Sequence, residues 1–507
     1  MGNLRVTGCT FDRNLCNVSA DKLAMTDLKT ASESSPPRVA GRSVRSFLHR
    51  FHTIAGIFIA PLLFVAALSG LFYALAPTAE NIYYRDTLTA TSEQEARPVS
   101  EQIAAAQKVH PELAFNAVQV FDNDDRTTRV LFTNPQLPQG QRQAVFVDPG
   151  DLRVTGDMPV AGSNNSLPLR QFISLGHKNL WLGEPGRLYS ELAASWMGAL
   201  AISGTWLWWA RRKKIARGKE GSKRNGAVKT HSMLGLVVLP GLLFLTVTGL
   251  TWSSVAGANI GELRTQLNWR APKPVVEMAA PTGSAAATPV DPHAEHGGTH
   301  GDAAIAHLVD SLALFKEADT VLLAARSAGL KDMVELKAPA KPGQAWTVTE
   351  NRLPNKFSND TITVNGVSGA RVDYVAFADW PLPAKVTDWL IQAHMGILLG
   401  WATQAALALL AVGIMVTIGY GYLMWFRRGK GSGFGRLPSS GNWNATSKKA
   451  LAGLLLCLAG YAIIAPLFGI SLMLFAAAEV TYQKVASKRS GGRTPDRPPA
   501  GAAENIT

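Results

Sequence analysis

The sequence predicts an α-helical integral membrane protein: duplicated transmembrane helix pairs plus a fifth helix, with two extracytoplasmic α+β domains. Three observations predict it. Of 507 residues, 47% are hydrophobic and only 17% charged, which is low in charge for a soluble chain of this size. Five apolar runs, near 51–76, 188–210, 231–253, 395–426 and 450–478, are long enough to cross a bilayer. The motifs around the first two runs recur around the next two.

In chain order, residues 1–46 form a polar, Ser/Pro/Arg-rich cytoplasmic segment. It has no cleavable signal peptide, and Met25 is an alternative start to Met1. The first span is 47–76. Region 77–176 reads as a helix at 99–109, then short alternating strands at 117–121, 128–133 and 144–148 with an Asp148-Pro149-Gly150 turn. The second span with its outer lead-in is 177–210, followed by a basic loop, 211–230, and the third span, 231–253. A linker, 254–302, is rich in Ala, Pro, Gly, Thr and His and is expected to be mobile. Region 303–392 repeats the earlier theme, with helices at 303–318 and 319–328 and strands at 335–339, 345–351 and 361–372. The fourth span is 393–426, a second basic loop 427–448, the fifth span 449–480, and the tail 481–507.

Charge orients these elements. The net charge of +13 is concentrated in alternate loops, so it is not a nucleic-acid signal. Residues 211–230 carry nine Lys/Arg and one acid, and residues 427–449 carry six and none. The long loops are mildly acidic. The short basic loops and the N-terminus are therefore cytoplasmic, and the long loops lie outside a bacterial inner membrane. An odd span count leaves the basic tail outside, against this rule. Cys9, Cys16 and Cys457 supply no disulfide framework.

Four histidines sit at the ends of the first four spans in two matched frames. His52 and His231 each open His-x3-Gly-x4-Pro-x8-Gly: Gly56, Pro61 and Gly70 against Gly235, Pro240 and Gly249. His177 and His394 each precede Gly-x20-Gly-x3-Trp-x2-Arg: Gly183, Gly204, Trp208 and Arg211 against Gly400, Gly421, Trp425 and Arg428. A lone histidine near a helix end is ordinarily an interfacial anchor. Four in repeated frames, matched in depth, are what two stacked b-type haems need, one imidazole from each half on either side of each iron. The expected pairs are His52 with His231 at the inner face and His177 with His394 at the outer face. His49, one turn from His52, is the alternative inner ligand. Gly56, Gly235, Gly183 and Gly400 are expected to let a macrocycle approach. Gly70, Gly204, Gly249 and Gly421 are expected to let helices pack closely. The 34 residues from each outer histidine to its arginine exceed one span as a straight helix, so either the outer histidines lie at the outer interface or the chain bends near Gly183-Glu184-Pro185-Gly186. In the linker, His293, His296 and His300 are candidate ligands for an external transition metal, with low-complexity drift the plainer explanation.

These features resemble the PepSY-associated transmembrane helix family. The resemblance rests on HxxxG followed by Pro and Ser69-Gly70 or Thr248-Gly249, on HMGILLG after His394, on the Trp-x-x-Arg ends, and on the runs 377–396 and 146–156. It implies that the two outer domains are PepSY-like. It also implies an iron-regulated protein similar to ferric-siderophore reductases, with His52, His231, His177 and His394 as axial ligands. Such a protein would pass electrons from a quinol or a soluble flavin reductase to a ferric siderophore or other metal chelate outside. The alternatives are a membrane-anchored regulator that binds peptidases without redox activity, or a component of a metal or siderophore permease. The spans carry no mid-membrane charge of the kind a permease uses.

Overall fold

The computed structural model describes residues 40–123, 125–216, 223–278, 300–428, 437–438 and 448–491. The first half comprises α1 (Ala40–Tyr83), α2 (Arg85–Leu88), α3 (Val99–Gln107), β1 (Ala114–Val120), β2 (Thr128–Thr133), β3 (Gln141–Val147), β4 (Val154–Ala161), α4 (Pro168–Asn179) and α5 (Glu184–Ala216). The second half comprises α6 (Lys223–Thr251), α7 (Val255–Gln266), α8 (His300–Ser327), β5 (Val334–Lys337), β6 (Trp346–Glu350), β7 (Thr361–Val364), β8 (Arg371–Val375), α9 (Leu382–His394) and α10 (Trp401–Phe426). Two further helices follow, α11 (Lys448–Ile464) and α12 (Pro466–Gly491).

Among the described residues, three helices are long and apolar enough to cross a membrane: Arg45–Tyr83, Lys223–Thr251 and Trp401–Phe426. Phe58, Val237 and Leu409 on these helices are mostly exposed, as lipid-facing side chains must be. α5 runs antiparallel to α1. Tyr189 donates to the Leu62 carbonyl, and the two helices bury Phe51, Ala55, Ala193 and Trp196 between them and α12.

The sheet corrects the expectation of two separate outer domains. All eight strands form one antiparallel sheet in the order β4-β3-β2-β1-β5-β6-β7-β8. The join is β1 against β5, with Val118 opposite Leu336 and Val120 opposite Val334. Each half alone would leave this apolar strand as an open edge, and pairing the two edges closes both. The helices α3 and α8 cover one face of the joined sheet. There Val99, Ile103, Val118, Phe132, Phe315, Val321, Trp346 and Ile362 form one core drawn from both halves. A smaller core on the opposite face, with Leu88, Leu131, Phe146 and Leu167, sits over α2 and the start of α4.

Because the core is shared, Phe132→Ala or Trp346→Ala should cost about 3–5 kcal/mol, and both halves of the sheet should melt together. Thermal unfolding followed by strand-sensitive circular dichroism checks this. Two resolved transitions, with only the mutated half affected, would contradict a shared core.

Three other expectations change. The helices expected at 303–318 and 319–328 are one continuous helix, α8. The linker is partly ordered. Glu191, buried at the start of α5, accepts the backbone N–H groups of Val255 and Ala256 at the first turn of α7, where a carboxylate complements the helix N-terminus. Beyond α7, Val276 accepts a hydrogen bond from Ala345 and Val275 from Thr363. Finally, 449–480 is not one helix. The chain breaks at Ala465-Pro466, because proline disfavours helical geometry in the residue before it and lacks an N–H. The turn lies beside Asn259, and α12 returns to the inner end of α1, where Glu479 pairs with Arg50 at 2.6 Å. The pair of short helices thus returns the chain to the Arg50 side, where a single fifth span would have left it on the opposite one.

Candidate functional site

The outer histidines owe their positions to two short helices that the sequence reading did not separate, having left most of each in the outer domains and begun the following span at residue 177 or 393. α4 starts on Pro168 and ends with Leu180 in the left-handed region, φ 53°, followed by Trp181 at 57° and Gly183 at 65°. α9 ends at His394, followed by Gly396 at φ 75° and Gly400 at φ 58°. In both halves the histidine closes a short helix, the chain turns sharply, and the long helix α5 or α10 begins. The expected bend is therefore present in each half. Gly183 and Gly400 serve these turns, whose left-handed backbone glycine adopts without strain. Gly56 and Gly235 have open space where a side chain would project.

The four histidines come together as two pairs. The rings of His52 and His231 lie with centroids 6.4 Å apart, and those of His177 and His394 also 6.4 Å apart. The inner pair joins α1 to α6, and the outer pair joins α4 to α9, so each draws one ring from each half. The outer pair lies against Ser69 and Gly70, eighteen residues along α1 from His52. At 1.5 Å per residue the two pairs are about 27 Å apart along the helix axis. His49 takes no part in either pair. Its Nε2 is held 3.0 Å from Arg428 Nη2, from which it accepts a hydrogen bond.

Each ring is held by its Nδ1. The partners are Ser203 Oγ for His52 at 3.0 Å, Ser69 Oγ for His177 at 3.0 Å and Thr248 Oγ1 for His394 at 2.7 Å. His231 has the Thr417 carbonyl at 3.0 Å. The Thr417 carbonyl can only accept, so His231 Nδ1 carries the proton. The hydroxyls of Ser69, Ser203 and Thr248 also reach the Val65, Leu200 and Phe244 carbonyls of their own helices, and a hydroxyl that donates there accepts from Nδ1. A ring protonated on Nδ1 presents Nε2 as an unprotonated lone pair, the state in which imidazole ligates a metal.

Glycines make room for the rings. A Cβ on Gly204 would stand 2.9 Å from His52 Cε1, on Gly70 3.2 Å from His177 Cε1, and on Gly421 3.5 Å from His231 Cε1. Three of the four glycines expected to serve helix packing therefore face imidazole edges. Gly249 instead meets Ala194 at 3.4 Å. The outer pair has an aromatic surround: Tyr73 stacks on His177 at 5.9 Å, and Trp252 meets His394 edge-on at 5.0 Å.

The sequence reading quoted Ser69-Gly70 and Thr248-Gly249 but did not give the hydroxyls a role, and it missed Ser203, Tyr73 and Trp252. The signal was a hydroxyl directly before the glycine at three of the four repeat positions. At the fourth, Tyr420-Gly421, the Thr417 carbonyl substitutes. His293 and His296 lie outside the described residues, as does the side chain of His300, so the linker metal site has no structural description. Among the described residues, no group of three or more His, Cys, Asp or Glu could hold a metal ion.

The two histidine pairs could each hold a metal centre that takes two imidazoles, haem among them. Two imidazoles sharing one metal at about 2 Å each, through ring nitrogens, have centroids about 6 Å apart. A bare ion would need further protein ligands, whereas a porphyrin brings its own equatorial nitrogens. No curated protein matches the chain. A family model described as PepSY-associated TM region spans residues 49–428, taking in both histidine pairs and the whole sheet, and the chain belongs to that family.

Proposed function

We propose that this is a di-haem electron-transfer protein of the bacterial inner membrane, built by tandem duplication, that reduces a ferric chelate on the periplasmic side. The observation that carries the reading is the pairing of four histidines, ring centroids 6.4 Å apart in both pairs, each with its Nδ1 against a hydroxyl or carbonyl oxygen. His52 and His231 would hold the inner haem, and His177 and His394 the outer. Haem held there by the two imidazoles of each pair would supply a one-electron couple.

The chain's residues supply the rest. Ser203, Thr417, Ser69 and Thr248 lock each ring and raise its basicity by accepting the Nδ1 proton. Gly204, Gly70 and Gly421 let the rings sit against neighbouring helices. One electron enters from a cytoplasmic donor, a quinol or a reduced flavin carried by a soluble reductase. It leaves to Fe(III) in the external chelate. Fe(II) is held less tightly by hard oxygen donors, so reduction releases the metal.

The test is the reduced-minus-oxidised visible spectrum of the protein purified from haem-replete membranes, followed by reoxidation with a ferric siderophore. Bands of b-type haem that bleach on adding the chelate are expected. A protein without such bands would sink the reading and favour a membrane-anchored peptidase regulator.

A further inference from the structure

Four arginines surround the cytoplasmic end of the inner pair in a pattern the histidines do not explain. Arg45 precedes His52 by seven residues, and Arg224 precedes His231 by seven. Arg211 follows Gly204 by seven, and Arg428 follows Gly421 by seven. Seven residues are two helical turns, so Arg45, Arg211 and Arg224 lie on the same helix face as their histidine or ring-facing glycine, about 10 Å toward the cytoplasm. Arg428 stands in the turn just past the end of α10, where its Nη2 donates to His49. The outer pair has no such set: the matching positions are Arg170, Pro77, Ala256 and Thr387.

The four form a cluster. His49 lies within electrostatic reach of Arg211, Arg428, Arg224 and His52, and Arg211 within reach of Arg45 and Arg224. Among the described residues none of the four is ion-paired with a carboxylate, whereas the neighbouring Arg50 has Glu479. Arg428 Nη1 is buried from solvent with no hydrogen-bond partner. Burial, with Arg224 and Arg211 nearby, holds Arg428 below the usual guanidinium range. Convergent like charges and an orphaned buried donor are costly unless an anion answers them. Keeping the loop cytoplasmic does not require this arrangement, since the exposed Arg212 and Lys213 serve that end.

We propose that Arg45, Arg211, Arg224 and Arg428 form a carboxylate clamp that grips the propionates of the haem held by His52 and His231. The inference rests on the haem reading of the inner pair and adds what orients and retains that haem. Guanidinium is the suited donor, because its fork matches a carboxylate in two hydrogen bonds. A lipid phosphate or a soluble anion would have to reach an Nη1 without solvent-exposed surface.

The experiment uses the purified holoprotein, challenged with a soluble apo-globin that scavenges released haem. In the Arg211→Gln/Arg428→Gln variant, one of the two haems should leave at least about tenfold faster than in the wild type. Its midpoint potential should fall, because positive charge favours the reduced iron. The other haem should keep its wild-type rate and potential, which also shows that the bundle is folded. Unchanged release and potentials, with both haems present, would overturn the clamp while leaving the di-haem reading intact. A wild type without haem would overturn both. Should the variant lose both haems, wild-type protein loaded with haem dimethyl ester decides: release from the inner site at least about tenfold faster than for haem supports the clamp, and equal rates overturn it.

Discussion

Alanine in place of His177 or His394 should remove one haem and leave the other, so that the b-type band falls to about half. His52→Ala or His231→Ala should remove the complementary haem. The two partners in a pair are equivalent because each contributes one Nε2 lone pair, and losing either ring leaves a single imidazole. The two pairs are independent, since they stand about 27 Å apart on α1 and share no hydrogen-bond partner. Redox titration of the four single variants checks the assignment, because the surviving centre should keep its wild-type potential. His49→Ala should leave both haems in place, since its Nε2 is occupied by Arg428. Loss of a haem from His49→Ala and not from His52→Ala would reverse the inner assignment. Ser69→Ala and Thr248→Val keep the outer rings but free them to turn, and haem affinity at that site should drop by about 10–100-fold.

Gly186→Ala should be the most damaging single-methyl change in the molecule. Gly186 lies in the first turn of α5, and a Cβ built on it would fall inside the Asn179 carbonyl group at the end of α4. Backbone cannot step aside as a side chain can, so α4 and α5 must separate. His177 is two residues before Asn179, so the shift reaches the outer pair directly. Overpacking of this kind costs about 1–3 kcal/mol. The expected result is a lowered thermal midpoint together with an altered or lost outer haem, the inner haem being unchanged. Gly453→Ala, where a Cβ meets nothing within 4 Å, is the control and should be silent.

The sequence made the ligand pairs legible for a definite reason. His52 and His231 share a frame of invariant spacing, and charge asymmetry gave that frame a depth. Depth and repetition together specify which rings can meet. What they do not specify is rotation about each helix. Ser203 has Thr205 two residues on, and Thr417 acts through its backbone carbonyl, so only the packing of α5 and α10 decides that these oxygens face a ring. The short helices α4 and α9 were not separated because the outer-domain and span boundaries were drawn through their last residues; the bend after α4 was legible at Gly183, while Leu180 and Trp181 adopt left-handed geometry with no glycine to mark it. The fused sheet was hidden because strand patterning reveals a half-buried strand but not its neighbour. Val118 and Leu336 are 218 residues apart. The break at Pro466 was visible as a residue, yet a proline inside an apolar run reads equally well as a kink, as Pro61 in α1 and Pro240 in α6 show.

The crossing of the halves dictates an order of biogenesis. The paired histidines leave the ribosome in the order His52, His177, His231, His394, so the inner pair can meet once α6 is inserted. The outer pair must wait for α9, and until β5 emerges β1 remains an unsatisfied sheet edge open to wrong partners. On the proposed di-haem reading, cofactor loading would be staged by translation. A chain cut between α5 and α6 would hold one histidine of each pair and complete neither.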